Sequence, residues 1–262
     1  MSGKNILYEG EIKLEKKHCT SEYGKIYEYN KNTYYRRKWD TESDIKWTIY
    51  DNKTIIIKGN GVIPDYQSFD NPEENAWFYP SPWYYYRDCY NNIIIENGIT
   101  SIGDYSFDKS KFATSVIIPN SVTNIGNHSF RDCHNLQSII IGNSVETIES
   151  YAFCKCLNLT YIIIPESVKY IEYSAFYLCK SLNEIINYAT EPQKLGEKVF
   201  RGMDKTKCVL KVPYKSIEKY KNSEGWKEFE NIKPIKFNCV KSFITWVKKL
   251  ITSKLVLWKY QK

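Results

Sequence analysis

No run of 18 consecutive apolar residues occurs anywhere in this chain, so no transmembrane helix is expected. Equally missing is an apolar core in the opening stretch MSGKNILYEGEIKLEKK, where charges interrupt every short apolar run. Secretion by a signal peptide is therefore not expected, and a cytoplasmic or peripheral membrane location is. Histidine is scarce, with three residues, and there is neither a Gly-x-Ser-x-Gly turn nor a glycine loop that could cradle phosphate. Nucleophilic and phosphoryl-transfer chemistry thus have no motif to rest on, and neither a catalytic residue, a cofactor nor a small-molecule substrate is expected. Basic charge is lacking over most of the chain as well. Residues 236–262 hold seven lysines and no acid, which equals the entire net charge of +7, so the preceding 235 residues sum to zero. A neutral body with a basic tail argues against a nucleic-acid groove, and no nucleic-acid partner is expected. Eight cysteines without a secretory signal read as reduced thiols, not as a disulfide framework.

What is present is a repeat. From Val116 to Asn187 the text runs VIIPNSVTNIGNHSFRDCHNLQS, IIIGNSVETIESYAFCKCLNLTY, IIIPESVKYIEYSAFYLCKSLNE and IIN, with the same residue types returning every 23 positions. Val122, Val145 and Val168 share one slot, and Ile125, Ile148 and Ile171 another. Phe130, Phe153 and Phe176 fill a third, Cys133, Cys156 and Cys179 a fourth, and Leu136, Leu159 and Leu182 a fifth. Apolar slots in strict phase mean one unit stacked on copies of itself, with these columns as its core. The segment from Ile93 is a weakened copy, with Ser110 in the cysteine slot and Ala113 in the leucine slot. Another copy starts at Ile185 and dissolves, although Phe200 keeps the phenylalanine slot with one insertion.

Within a copy, Leu136-x-x-Ile139-x-Ile141 has leucine-rich repeat spacing, with Ile139 and Ile141 inward in one strand of a parallel sheet. The SVETIES segment reads as a turn and a brief extended piece, and YAFCKC as a single helical or 3₁₀ turn. The predicted fold is an α/β solenoid of stacked parallel strands, about five coils of 23 residues, closed by caps. Its segments are a lead-in (1–46), a β-hairpin and aromatic cap (47–92), the repeats (93–187), a degenerate repeat with C-terminal cap (188–235) and a basic amphipathic tail (236–262).

The pattern at 164–182, IPESVKYIEYSAFYLCKSL, resembles the BspA-type leucine-rich repeat family. WTIYDNKTIIIKGNGVIPDY is similar to the lead-in of such proteins, and CVLKVPYKSIEKYKNSEGWKEF to their closing segment, so the resemblance spans roughly Trp47 to Ile235. It implies a solenoid used for adhesion or protein binding, often at cell surfaces, with no shared catalytic residue.

Five features compete for a functional role. The cysteine column, with Cys154 and His134 nearby, suggests zinc, but thiols repeating at about 4.8 Å form a line where zinc needs a tetrahedron, so they read as core. His128 reads as sharing a slot with Tyr105, Ser150 and Tyr173, which suggests an exposed variable position. Trp77, Phe78, Tyr79, Trp83, Tyr84, Tyr85 and Tyr86 read as a solenoid cap, or as a platform for sugars or proline-rich peptides. If Ile139 and Ile141 point inward, then Ile94, Ile117, Ile140, Ile163 and Ile186 form an outward column. Either β-branched side chains simply stack there, or the column marks a protein-partner site, with Gln137, Ser138, Thr160, Tyr161, Asn183 and Glu184 beside it for specificity. In the tail, Val240, Phe243, Ile244, Val247, Leu250 and Ile251 recur at helical spacing, with Lys248 and Lys249 off that face. Such a helix packs on its own solenoid, on an anionic membrane surface or on a partner, and Cys239 is a candidate for lipidation.

Overall fold

A computed structural model of the chain describes residues 6–13, 44–67 and 80–235. The expected tail helix, Cys239, His18 and the aromatics Trp77, Phe78 and Tyr79 lie outside the described residues. The chain opens with β1 (Ile6–Lys13), β2 (Asp44–Tyr50) and β3 (Thr54–Lys58), and β2 pairs antiparallel with both of its neighbours. The Asp51-Asn52 turn closes through the Lys53 N–H, which donates to the Tyr50 carbonyl at 3.0 Å, with Lys53 left-handed at φ 57°. Strand β4 (Gly61–Ile63) follows. Each later coil supplies one longer and one shorter strand: β5 (Asn92–Ile95) with β6 (Ile99–Ile102), β7 (Ser115–Ile117) with β8 (Asn124–Ile125), and β9 (Ser138–Ile140) with β10 (Thr147–Ile148). β11 (Tyr161–Ile164) with β12 (Tyr170–Ile171) and β13 (Glu184–Asn187) with β14 (Lys194–Leu195) continue the series. β15 (Val209–Val212), α1 (Ile217–Asn222) and β16 (Asn231–Pro234) close it.

Two faces result. The longer strands run β3-β5-β7-β9 and β11-β13-β15-β16, all parallel, and the shorter ones run β4-β6-β8-β10-β12-β14. The hairpin is therefore more than a lid, because its strand β3 pairs parallel with β5 and starts the run of parallel longer strands, while β4 after it pairs with β6 and starts the shorter ones. Register follows the 23-residue period: Val116 faces Ile139, and Ile162 faces Ile185.

Between the sheets the sequence columns become stacks. Phe107, Phe130, Phe153, Phe176 and Phe200 lie ring on ring, with centroids 5.2 to 5.7 Å apart and planes within 10°. Tryptophans close the stack. Trp83 sits on Phe107 at 5.2 Å and donates its indole N–H to the Ser106 carbonyl at 2.7 Å. At the far end Trp226 meets Phe200 at 5.5 Å and donates to the Gln193 carbonyl at 2.9 Å. Large rings with satisfied polar edges suit exposed solenoid ends, because they cover the last coil without stranding a donor. Of the aromatic cluster, Trp83 is thus buried cap, Tyr86 packs against Tyr8 and Trp47, and Tyr85 is exposed.

The cysteine column has a specific job. The Sγ atoms of Cys133, Cys156 and Cys179 donate to the carbonyls of Phe107, Phe130 and Phe153, one coil back, at 3.3, 3.4 and 3.2 Å. A small apolar residue with a weak donor fits that slot. In the first copy Ser110 takes it and pairs with the Tyr90 hydroxyl at 2.9 Å.

The expected helical or 3₁₀ turn at YAFCKC is replaced by consecutive turns. A helix would spend its N–H groups on itself, but here alternate ones reach the next coil: His128 to Ser150, Phe130 to Ala152 and Asp132 to Cys154, at 3.0, 2.8 and 2.9 Å. This third ladder needs left-handed residues at its corners. Tyr105, His128, Tyr151 and Ser174 make one such column, and Lys109, Asp132, Lys155 and Leu178 a second, which continues at Gly202. Close approach of coils also fixes Gly142, where a Cβ would meet the Pro119 carbonyl oxygen at 2.2 Å.

Candidate partner-binding face

Alternation along each longer strand decides which side chains reach the surface. Ile139 and Ile162 are buried, whereas Ile140 and Ile163 between inward neighbours are half-buried and point out of the sheet. Strand pairing aligns Ile94 with Ile117 and Ile117 with Ile140 in one sheet and Ile163 with Ile186 in the next, so the outward isoleucines form two aligned runs on successive sheets. These runs extend further than the period reveals. Ile56, buried, faces Ile94 at one end, and at the other Ile186 faces Lys211, which faces Lys233. Insertions put these residues out of the 23-residue phase, so only strand register could find them.

Of the flanking residues, Ser138, Tyr161 and Glu184 open their strands two positions before the isoleucines and share their face. Gln137, Thr160 and Asn183 lie one residue earlier, exposed at the corner between coils, where the Thr160 and Asn183 carbonyls accept N–H groups from the next coil. Glu184 is not a free charge: Lys211 Nζ reaches its Oε2 at 2.8 Å. Hydrogen bonding also ties the flank together, with Ser115 Oγ donating to Asn92 Oδ1 at 2.7 Å.

The other candidates read differently in three dimensions. True counterparts of His128 are Tyr151 and Ser174, not Ser150 and Tyr173. Its ring is half-buried between Tyr105 and Tyr151, 4.6 Å from each and close to parallel, so the position is packed and not simply exposed. His134 Nε2 lies 3.3 Å from Asp132 Oδ1, and Asp132 also neighbours Arg131 and Lys155. The nearby Cys154 thiol does not complete a nucleophilic pair, because burial, reinforced by the Asp132 carboxylate, pushes it up to about 12 and keeps it protonated. Burial likewise pushes Cys133 and Cys156 well up. No cluster of three or more metal-ligating side chains occurs among the described residues. An open cleft of about 340 Å³ beside β2 and β3 is lined by Asp44, Lys46, Lys58, Asn60 and Glu96, with no thiol or imidazole.

Spacing alone does not disclose the strongest polar contact on the turn side. Arg131 Nε and Nη2 bind both oxygens of the buried Asp108 carboxylate at 2.9 and 3.1 Å, one coil apart. Burial also raises Glu149 above the usual carboxylate range, with Asp104 and Glu172 adding to the effect and its bond from Asn124 opposing it.

Residues 81–207 match the model of the BspA type leucine rich repeat region in six copies. These repeats are BspA-type leucine-rich repeats. The match counts six copies where about five coils are expected from the spacing. Among solved structures, a leucine-rich repeat protein from Eubacterium ventriosum is similar over 66% of this chain and 43% of its own length, at 25% identity and a TM-score of 0.52. The leucine-rich repeat protein of T. pallidum is similar over 72% of this chain and 79% of its own, at 20% identity and a TM-score of 0.46. This chain thus spans less than half the length of the Eubacterium protein. No curated protein matches the sequence. Among the described residues no helix is long and apolar enough to cross a membrane.

Proposed function

We propose that this BspA-type repeat chain is a non-enzymatic binding protein of the adhesion or scaffold type, and that it presents the outward isoleucine column to a protein partner. The observation that carries the reading is the uniformity of that column. At the equivalent outward positions of the shorter strands stand Ser101, Asn124, Thr147, Tyr170 and Lys194, five different residues in the same kind of register. Stacking between neighbouring strands is satisfied by many residues, as that second column demonstrates, so stacking alone does not call for isoleucine at every rung. An outward apolar run repeated on successive sheets of a solenoid supports a docking role. Flanking Ser138, Tyr161 and Glu184 supply hydrogen-bonding chemistry at its edge, and the repeat family is consistent with protein interaction.

The reading is tested by fold-preserving substitution. The full chain with Ile140→Lys and Ile163→Lys is compared with wild type for partner retention, alongside a control with Thr147→Lys on the opposite sheet. Loss of the partner in the first and retention in the second is expected. Equal retention by all three would place the binding surface elsewhere.

A further inference from the structure

We infer that the seam between β9 and β11 is a hinge, about which the longer-strand face bends as two plates, one carrying Ile94, Ile117 and Ile140 and the other Ile163 and Ile186. The strand pairing alone carries this, whether or not a partner docks on that face. Three observations converge on the seam.

The first is a gap in an otherwise regular series of bonds. From β5 to β15, the corner before each longer strand donates an N–H to the matching carbonyl of the preceding coil. Asn91 donates to Lys53, Thr114 to Asn91, Gln137 to Thr114, Asn183 to Thr160 and Val209 to Asn183, at 2.7 to 3.0 Å. Among the described residues the member missing from this series is Thr160 to Gln137. Ile118 also donates to the Ile140 carbonyl at 2.9 Å, and the counterpart of that bond at the seam, Ile141 to Ile163, is missing too. β9 accordingly ends one sheet and β11 begins the next.

The second is the state of the core and backbone beside the gap. Ile141 is 6% exposed, against 2, 1 and 0% for Ile95, Ile118 and Ile164 in the same inward slot, so the coils are slightly parted there. Gly142 follows β9, whereas Pro119 and Pro165 stand at the equivalent positions of the coils on either side. Proline fixes its φ and glycine does not, which puts the freest backbone of the series at the gap.

The third is that the same two coils are held fast elsewhere. β10 pairs with β12 in register on the shorter-strand face. On the turn side the N–H groups of Tyr151, Phe153 and Lys155 donate to the carbonyls of Tyr173, Ala175 and Tyr177 at 3.0, 2.8 and 2.7 Å. Phe153 stacks on Phe176 at 5.4 Å, and Cys179 Sγ donates to the Phe153 carbonyl at 3.2 Å. A contact that is open along one face and closed along the other two can bend without coming apart, as hinges at element ends do. Opening it tilts Ile140 away from Ile163 and changes the angle between the two isoleucine runs.

The test reads isoleucine methyl groups of the full chain by relaxation dispersion, which detects hinge motion on the microsecond to millisecond scale. Dispersion is expected at Ile140, Ile141 and Ile163, with Ile117 and Ile186 flat on the same face and Ile125, Ile148 and Ile171 flat on the other. The Thr160 amide should exchange with solvent at least about tenfold faster than those of Gln137 and Asn183, once intrinsic rates are divided out. Gln137→Cys/Thr160→Cys places two thiols one strand spacing of ~4.8 Å apart, within reach of a disulfide. Oxidation of that pair should abolish the dispersion and reduction restore it, whereas oxidised Thr114→Cys/Gln137→Cys at the bonded seam should leave it in place. Flat profiles at the seam, equal dispersion at Ile117 and Ile186, a Thr160 amide as slow as its counterparts, or dispersion that survives the cross-link would each overturn the inference. No partner enters these measurements, so the hinge and the docking reading fail separately.

Discussion

The two faces of this solenoid, one of longer and one of shorter strands, are built on the same 23-residue period, yet they treat their outward positions differently. One carries isoleucine at Ile94, Ile117, Ile140, Ile163 and Ile186, and the other carries Ser101, Asn124, Thr147, Tyr170 and Lys194. Their inward positions are alike, with Ile102, Ile125, Ile148 and Ile171 as fully buried as Ile93 and Ile162. The lesson is that folding explains inward columns on both sides, whereas only one outward column asks for another cause.

Several substitutions sharpen that contrast. The largest effect belongs to the inward stack: Phe153→Ala, which opens the ladder between Phe130 and Phe176, is expected to cost about 3–5 kcal/mol in chemical denaturation. Next comes the turn side, where Arg131→Ala strips the bidentate partner from buried Asp108 and should cost about 3 kcal/mol by the same measurement. An outward isoleucine ranks far lower. Ile140→Thr keeps a β-branched residue and is expected to cost about 1 kcal/mol or less. A loss as large as that of an inward isoleucine would mean that the column serves the fold and would remove the argument for a partner. The smallest effect is at the left-handed corners, where Lys155→Gly, exposed at φ 59°, should be neutral or stabilising by no more than about 1 kcal/mol.

Stability should also fall in alkali. Burial raises the thiols of Cys154 and Cys208 to about 12 in the folded chain. Unfolded thiols titrate near ~8.5. Between those values the unfolded state holds fewer protons than the native one, so unfolding free energy declines as pH rises, and it is fully retained below the unfolded value. Denaturation midpoints measured from pH 8 to pH 11 should therefore decrease, about in step with thiol ionisation in the unfolded chain.

How far the sequence carries depends on which interactions repeat. Val122, Phe130, Cys133 and Leu136 recur at a fixed period because every coil buries the same shape, so the fold and its core were legible there. The outward column was legible too, because alternation about Ile139 and Ile141 dictates it. Lys211, Lys233 and Ile56 escaped because insertions break the phase while strand pairing restores it. The turn-side ladder escaped for a different reason. Its donors are backbone N–H groups whose targets lie in the next coil, and YAFCKC by itself suits a helical turn equally well. Arg131 and Asp108 pair only because slots one coil apart happen to hold opposite charges. The reciprocal amide pair of Asn187 and Gln193 is similar. Asn187 stands where Ile118, Ile141 and Ile164 stand in earlier coils, and the buried Gln193 satisfies it through bonds of 2.7 and 3.0 Å.

The central claim is that the isoleucine face binds a protein. Its most direct measurement is retention of a native partner by the immobilised full chain, wild type against Ile140→Lys/Ile163→Lys, with thermal unfolding recorded for both. The account predicts unfolding temperatures that stay close together and a partner lost from the double variant alone. A partner held equally by both folded proteins would contradict it.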